Sequence, residues 1–278
     1  MLNQIKTAVL LAGLTGILLI IGFFFGGELG LIIAFAIAML LNFVSYWYSD
    51  KIVLRIYRAK ELPESKYPKI HKYIKEVSKN MKIPKPRVYL IPTDNPNAFA
   101  TGRNPKHSAI ALTDGIMHLL TEKELKGVIA HELAHIKNRD TLISTVVATI
   151  AGAISFIAIM ARFAAIFGGG RDRGRGLELI IIGLLAPFIA LIIRLAISRS
   201  REYLADETGA KLSKNPEGLA SALKKISEAS KRHPLRFGSQ GTSHLFIVNP
   251  FSKSALVNLF STHPSTQKRV EKLRSLEV

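Results

Sequence analysis

The residues best suited to chemistry stand close together in the sequence HELAH, residues 131–135. On a helix, positions i and i+4 share a face, so the imidazoles of His131 and His135 can reach one metal ion. Glu132, beside the first histidine, can hold a water molecule at that ion and take its proton. The pattern H-E-x-x-H therefore predicts a zinc site that catalyses hydrolysis, although a purely structural pair of histidines has the same spacing.

A catalytic zinc site usually has three protein ligands and an open position for water, so a third ligand must come from elsewhere in the chain. The sequence H-x-x-G-x-x-H is absent, which disfavours the metzincin arrangement. Glu202 in SREYLADETGA has the best position, although a surface ion pair with a neighbouring arginine explains this glutamate equally well. Asp206, one turn further along, either orients a histidine ligand through its ring N–H or is an ordinary surface carboxylate.

Four apolar segments predict membrane-spanning helices, since about 20 apolar residues cross roughly 30 Å of hydrocarbon. Three of them contain no charged residue, namely 7–25, 29–49 and 141–161. The fourth, 179–193, reaches full length only if Arg194 extends to the headgroups. The first segment has the hydrophobicity of a signal peptide, but it is long, lacks an A-x-A cleavage pattern and directly precedes a second span. We therefore interpret it as a retained anchor.

The third and fourth spans also suggest how the ligands meet. His135 lies just before the third span, and Glu202 lies just after the fourth. If these two spans are adjacent and antiparallel, both positions lie at the same bilayer surface. We therefore expect the membrane hairpin to bring the third ligand to the two histidines.

An even number of spans places the two long polar segments, 50–140 and 199–278, on the same side of the membrane. They contain most of the 38 lysine and arginine residues, and such residues accumulate in cytoplasmic loops. We therefore predict a multi-pass protein of the cell membrane with both polar segments and both termini in the cytoplasm. The arginines of the loop 168–178 argue weakly against this orientation.

The same distribution of cations explains the net charge of +18. No nucleic-acid-binding motif accompanies this charge, so we expect the lipid bilayer, and no nucleic acid, as a partner. The chain contains no cysteine, which suits a reducing compartment and leaves histidine and carboxylate side chains as the metal ligands.

Hydrophobic periodicity predicts a mainly α-helical fold with one small antiparallel β-sheet. Three short runs, RVYLIP, NAFATG and HSAIALT, are typical of strands, with a turn at 102–106. A helix follows over TEKELKGVIAHELAHIKN, where Thr121 and Glu124 form a capping-box pattern. The predicted organisation has two transmembrane helices in 1–49, the first part of a zinc-protease domain in 50–140, a transmembrane hairpin in 141–198 and the second part of that domain in 199–278.

Together these motifs resemble the HtpX family, the membrane-embedded branch of a peptidase clan that also contains the CAAX prenyl proteases and the OMA-type peptidases. The resemblance rests on HELAH, a membrane hairpin, SRxxEYxAD and FSTHPS, with NAFATG upstream, and it covers essentially the whole chain. It implies that His131, His135 and Glu202 bind one zinc ion per chain and that Glu132 is the catalytic carboxylate.

The resemblance also implies roles for four further residues. His263 would stabilise the tetrahedral intermediate, although a histidine before proline is commonly a turn residue. Asn97 would contact or position the substrate, and the alternative is an Asx turn. Asp206 would orient a ligand, and Arg269 would anchor its helix rather than act chemically. One departure from the family is mild, since one proline follows His263 where the family often has two.

The implied activity is that of a zinc metalloendopeptidase that hydrolyses peptide bonds in misfolded or damaged membrane proteins at the cytoplasmic surface, as part of protein quality control and the stress response. An extended substrate would add as a strand beside NAFAT, and the oligomeric state stays open.

Three alternatives compete with this interpretation. An intramembrane protease would bury the zinc motif in a span, whereas cations flank it here; a CAAX prenyl protease has more spans; and a membrane scaffold would use zinc only structurally.

Overall fold

The computed structural model describes residues 2–144, 154, 185, 189, 192, 199–235, 245–250 and 264–277. The chain divides into two compact units: the first consists of Met1–Trp47 and Thr145–Ile197, and the second of Tyr48–Ser144 and Ser198–Val278. The predicted spans 141–161 and 179–193 lie largely outside the described residues, and His263 lies outside them altogether. The fold is mainly helical with one small sheet, as the sequence predicted.

The first helix, α1 (Leu2–Ile56), has non-helical backbone at Gly26 and Gly27. At Gly27 φ is 56°, a conformation that glycine adopts without steric cost. Across this kink, Gly22 and Gly30 approach so closely that a Cβ atom on either residue would overlap the other's carbonyl oxygen. The kink lies where the sequence predicts the turn between the first two spans, and glycine permits the close contact between the two helical arms.

Within the described chain, one helix is long and apolar enough to cross a membrane, Thr15–Tyr48, with a mean hydropathy of 2.4 over its apolar window. Only 17% of that window is buried, whereas the core helix of a soluble protein is mostly buried. Large apolar side chains such as Ile20, Leu29 and Ile32 are exposed, as contact with hydrocarbon requires. The described residues do not confirm four transmembrane helices, which stay a prediction.

The second unit contains a four-stranded sheet of β1 (Lys60–Glu61), β2 (Arg87–Ile91), β3 (Ala98–Asn104) and β4 (His107–Thr113), in the order β1-β2-β4-β3. β3 and β4 form an antiparallel hairpin, and β1 pairs antiparallel with β2. β2 and β4 are parallel, so the prediction of an antiparallel sheet is wrong for this pair and the sheet is mixed. The reason is the burial of β4, which is buried throughout except at its first residue. The hairpin therefore places this apolar strand at the centre, beside β2.

The remaining helices are α2 (Pro68–Met81), α3 (Asp114–Leu119), α4 (Glu122–Asn138), α5 (residues 199–213), α6 (Pro216–Arg232) and α7 (Thr266–Arg274). Helix α4 lies at the centre of the second unit, where it packs against α2, α6 and β3. Its residues from Gly127 to Ile136 are buried with the exception of His135, which is partly exposed. Side chains that project from α4 are therefore held by a well-packed core.

The predicted capping box starts α4. Thr121 accepts a hydrogen bond from the backbone N–H of Glu124, and the Glu124 carboxylate accepts one from the N–H of Thr121. The same carboxylate accepts hydrogen bonds from Ser221 at 2.6 Å and Lys225 at 2.9 Å on α6. Burial raises the pKa of Glu124, but the hydrogen bonds from Lys225, Ser221 and Thr121 outweigh it and lower the pKa to about 2. An ionised Glu124 therefore joins α4 to α6.

We expect Glu124→Gln to lower the melting temperature at pH 7 by about 4–8 °C. The lowered pKa corresponds to about 2 kcal/mol of the free energy of unfolding, after allowance for solvent screening of the ion pair with the partly exposed Lys225. Because the folded-state pKa lies below the unfolded-state value, the stabilisation is present above about pH 5 and is lost as the pH falls towards about 2. Thermal unfolding between pH 7 and pH 3 checks this, with Glu122→Gln, an exposed glutamate of the same helix, as the control. A loss that is equally large at both pH values contradicts the ionic role of Glu124.

Candidate metal centre

Two histidines of α4 and one glutamate of α5 converge in the second unit. Ligand atoms of His131, His135 and Glu202 all lie within 4.8 Å of one another. The two Nε2 atoms are 3.1 Å apart, and Glu202 lies 3.3 Å from the Nε2 atom of His135 and 3.8 Å from that of His131. In a tetrahedral zinc site with bonds of 2.0–2.1 Å, neighbouring ligand atoms are about 3.3 Å apart. The three donors therefore have the spacing of three corners of such a site.

A carboxylate lies at the outer ring nitrogen of each histidine. The Nδ1 atom of His131 is 3.0 Å from Asp206, and the Nδ1 atom of His135 is 3.0 Å from Asp140. A carboxylate at Nδ1 favours the tautomer whose Nε2 lone pair faces inward, and it fixes the orientation of the ring. Both imidazoles are therefore held with their Nε2 atoms towards Glu202.

Sequence reasoning identified Asp206 for this position but missed Asp140. Asp140 follows Arg139, the residue that ends α4 in the left-handed conformation with φ of 60°. It is five residues from His135, and this spacing does not share a helix face with the histidine. The turn at Arg139 brings its side chain back to the imidazole. A carboxylate shortly after the end of the HELAH helix was the only sequence signal for this contact.

Two buried arginines hold these carboxylates in turn. Arg201 forms an ion pair with Asp140. Arg269 of α7 donates two hydrogen bonds of 2.8 Å to Asp206, one to each oxygen, and its Nη1 atom lies 3.1 Å from Glu202. The sequence prediction for Arg269 was that it anchors its helix, and the structure gives it direct contacts with two carboxylates of the centre as well.

The pKa shifts follow from these contacts. Burial raises the pKa of Asp206, but the charge and hydrogen bonds of Arg269, together with the contact to His131, outweigh it and the pKa is lowered. Burial lowers the pKa of His135, but Asp140 and Glu202 outweigh it and raise the pKa well above its usual value. The pKa of His131 is lowered, chiefly by burial. The two carboxylates beside His135 thus favour a positive charge at its ring. A metal cation supplies that charge when it displaces the ring proton that faces Glu202.

The formal charges of the buried groups also fit a divalent cation. The centre holds four buried carboxylates and two buried guanidinium groups, so with neutral histidines its net formal charge is −2. Two imidazole nitrogens and one carboxylate oxygen form a donor set that zinc prefers. The contributing side chains are Glu132, Asp140, Glu202, Asp206, Arg201 and Arg269.

Glu132 lies next to the cluster and is 1% exposed. Burial and the charge of Glu202 raise its pKa to about 7, against the opposing effect of His135. Its Oε2 atom has no hydrogen-bond partner among the described residues. A buried carboxylate oxygen without a partner is costly, and a water molecule held at the centre would satisfy it. The residues present therefore fit a metal ion together with a reactive water.

Asn97 is fully buried, and its amide contacts backbone atoms. Its Nδ2 atom donates a 2.8 Å hydrogen bond to the carbonyl of Val248, and its Oδ1 atom accepts one of 3.1 Å from the N–H of Ala98. Phe99 forms a β-bridge with Phe246 beside it. The amide therefore holds residues 245–248 against the start of β3, which suits a positioning role better than direct contact with a substrate.

His263, the predicted oxyanion residue, lies outside the described residues.

The chain is similar in sequence to a peptidase family and in fold to a solved structure. Residues 64–277 match Peptidase family M48. A protein named Protease HtpX homolog from Syntrophobacter fumaroxidans is 52% identical over 99% of this chain and 99% of its own length. The protein of the same name from Pyrococcus furiosus is 52% identical over 98% of this chain and 95% of its own. The crystal structure of S. mikatae Ste24p matches 98% of this chain with a TM-score of 0.55 and 18% identity. The chain spans 65% of the Ste24p chain, and this likeness shows a shared fold.

We expect Asp140→Ala to weaken zinc binding about 10- to 100-fold, because His135 loses the carboxylate that orients its ring. Competition with a chromophoric zinc chelator measures the affinity, and circular dichroism checks the fold. Asp94→Ala, which removes an exposed carboxylate elsewhere in the same unit, serves as the control and should leave the affinity unchanged. Equal zinc affinity of the Asp140→Ala and Asp94→Ala variants contradicts an orienting role for Asp140.

Proposed function

The chain belongs to peptidase family M48 and is a metalloprotease of the membrane, and from this membership we propose that it is a zinc-dependent endopeptidase that cleaves misfolded or damaged membrane proteins. The observation that carries the proposal is the convergence of three donor side chains on one point, beside Glu132, whose Oε2 atom has no hydrogen-bond partner among the described residues. Neither a structural pair of histidines nor a surface ion pair of Glu202 accounts for that convergence.

We assign His131, His135 and Glu202 as the ligands of one zinc ion per chain. A zinc ion held there supplies Lewis acidity towards the scissile carbonyl and makes water acidic enough to ionise near neutral pH. Asp206 and Asp140 keep the two imidazoles in the tautomer and orientation that ligation needs. Arg269 keeps Asp206 ionised and fixes the position of Glu202.

Glu132 is the proposed general base. Its carboxylate takes a proton from the attacking water and delivers it to the nitrogen of the leaving amine. The burial of Glu132 excludes bulk water from this proton transfer. By the family resemblance, we assign His263 to the stabilisation of the oxyanion that forms on the substrate carbonyl.

The outer edge of β3 is the proposed substrate site. The carbonyl of Ala98 points away from β4, since it accepts a hydrogen bond from the N–H of Ile247. Strand alternation turns the carbonyl of Ala100 to the same edge, and further along the carbonyl of Gly102 accepts a bond from Thr141 at 2.7 Å. We propose that an extended peptide pairs with the carbonyl of Ala100, between two positions that the protein itself occupies. Ala100 is buried and its N–H bonds to Glu132, so this pairing needs β3 to be uncovered at Ala100 and places the peptide beside the proposed base. Backbone pairing of this kind makes little demand on substrate sequence.

The proposal also covers which segments of the chain cross the membrane. We propose two transmembrane helices in 1–49 and a transmembrane hairpin in 141–198, with the zinc-protease domain built from 50–140 and 199–278 on the cytoplasmic side. The apolar helix Thr15–Tyr48 and its kink at Gly26 and Gly27 support the first pair of spans. Unfolded cytoplasmic segments of membrane proteins would then reach the site without leaving the bilayer surface.

Glu132→Gln should reduce hydrolysis at least about 10³-fold while one zinc ion per chain is retained, because the change removes the base and leaves the three ligands in place. Release of fluorescent peptides from labelled casein and from an unfolded membrane protein, in detergent, measures hydrolysis; elemental analysis measures zinc. Glu122→Gln on the exposed face of the same helix is the matched control. Hydrolysis by Glu132→Gln at the rate of this control rules out Glu132 as the base.

A further inference from the structure

A groove lies along the C-terminal part of α1, where the helix belongs to the second unit. Its volume is about 430 Å³, and it is lined by Tyr48, Lys51, Ile52, Arg55 and Ile56. These positions follow the spacing i, i+3, i+4, i+7 and i+8, so they form one face of the helix. The described part of its lining therefore combines two cationic side chains, one aromatic ring and two branched apolar side chains.

The charges of Lys51 and Arg55 are available to a ligand. Among the described residues, neither Lys51 nor Arg55 forms an ion pair, and the neighbouring Asp50 is paired with Arg87 at 2.6 Å. The Nζ atom of Lys51 lies 5.7 Å from the ring centre of Tyr48, a contact that leaves its charge available to an anion. Two unpaired cations at the rim of an apolar groove form a suitable site for a phosphate group.

The position of the groove along α1 matches the headgroup layer of a bilayer. Tyr46, Trp47 and Tyr48 are all exposed at the end of the apolar helix, and such aromatic residues mark the membrane interface. At about 1.5 Å per residue, Lys51 lies about 4–5 Å and Arg55 about 10 Å beyond Tyr48. Helical side chains point back towards the N-terminus, so both charged groups reach towards the interface.

The helix at the groove is part of a packed structure and not a fraying end. Tyr57, the next residue after the groove, is completely buried. Its ring packs 4.9 Å from that of Phe246 and 5.7 Å from that of Phe99, measured between ring centres. The groove is therefore held in shape by the core of the second unit.

We propose that this groove binds the headgroup of an anionic phospholipid. Lys51 and Arg55 hold the phosphate and any additional negative charge, while Ile52, Ile56 and the Tyr48 ring contact the glycerol and the first methylenes of the acyl chains. A soluble phosphate offers no apolar part for these three side chains, so the groove fits a lipid better than a free anion. The site is distinct from the metal centre; it rests on the proposed membrane crossing of α1 and not on the proposed protease activity.

Trp47 reports directly on this site, because it is the one tryptophan of the chain and precedes Tyr48. The full-length protein is placed in nanodiscs of phosphatidylcholine that contain a small fraction of phosphatidylglycerol. In one sample the phosphatidylglycerol is brominated near the headgroup end of its acyl chains; in the other, an equal amount of phosphatidylcholine is brominated. From the quenching of Trp47 we expect the fraction of phosphatidylglycerol next to the protein to be about ten times its fraction in the nanodisc as a whole.

The double variant Lys51→Gln/Arg55→Gln should lose this enrichment, whereas Lys51→Arg/Arg55→Lys, which keeps both charges, should retain it. Lys69→Gln/Lys72→Gln removes two exposed lysines from α2 and should also retain it. Equal quenching by the two brominated lipids overturns the proposal, as does enrichment that survives in Lys51→Gln/Arg55→Gln. Loss of the enrichment in 50 mM inorganic phosphate at constant ionic strength, compared with chloride, shows a free-anion site and also overturns it.

Discussion

The centre depends on the close contact between α4 and α5, across which buried charges are paired. At Gly209 of α5, a Cβ atom would lie 3.0 Å from the backbone of Ala130 and His131, so a larger residue would push the two helices apart by a few tenths of an ångström, which glycine avoids. This approach brings Glu202 and Asp206 against His131. Isolated buried charges cost several kcal/mol each, and the cost is offset only when every group has a partner. Removing one partner therefore affects the whole network.

Asp140 connects this network to the course of the chain. The first part of the second unit ends at Ser144, and the chain returns at Ser198. Asp140 and Arg201 lie just inside these two points, and their ion pair closes the ends of the intervening segment. The same Asp140 carboxylate contacts His135. One carboxylate thus links the orientation of a proposed ligand to the place where the chain leaves and re-enters this unit.

The sequence predicted those parts of the site that follow from local periodicity. His131 and His135 share a face of α4 because helical spacing requires it, and the capping box of Thr121 and Glu124 formed as expected. Glu202 was identified from its place in the chain and from the family resemblance, since no local pattern distinguishes a distant ligand from a surface carboxylate. Asp140 was missed because a left-handed residue, and not helical spacing, brings it to His135.

Features that depend on tertiary packing were predicted less well. Strand composition located β2, β3 and β4, but the parallel pairing of β2 with β4 follows from the burial of β4, which the hydrophobic runs do not distinguish. The direct contacts of Arg269 with Asp206 and Glu202 likewise depend on where α7 packs. The amide of Asn97 was predicted to contact or position the substrate, which stays a prediction; its hydrogen bond to the backbone of Val248 depends on tertiary packing and has no signal in the sequence.

The most direct test of the account is zinc X-ray absorption on the purified full-length protein, compared with Glu202→Ala and with Glu207→Ala, which removes a surface glutamate from the same helix. We predict one zinc ion per chain with two imidazole nitrogens and oxygen donors at about 2.0–2.2 Å. Glu202→Ala should change this coordination and lower the zinc content, and Glu207→Ala should preserve both. A protein without zinc, or a spectrum that Glu202→Ala leaves unchanged, contradicts the proposed metal centre.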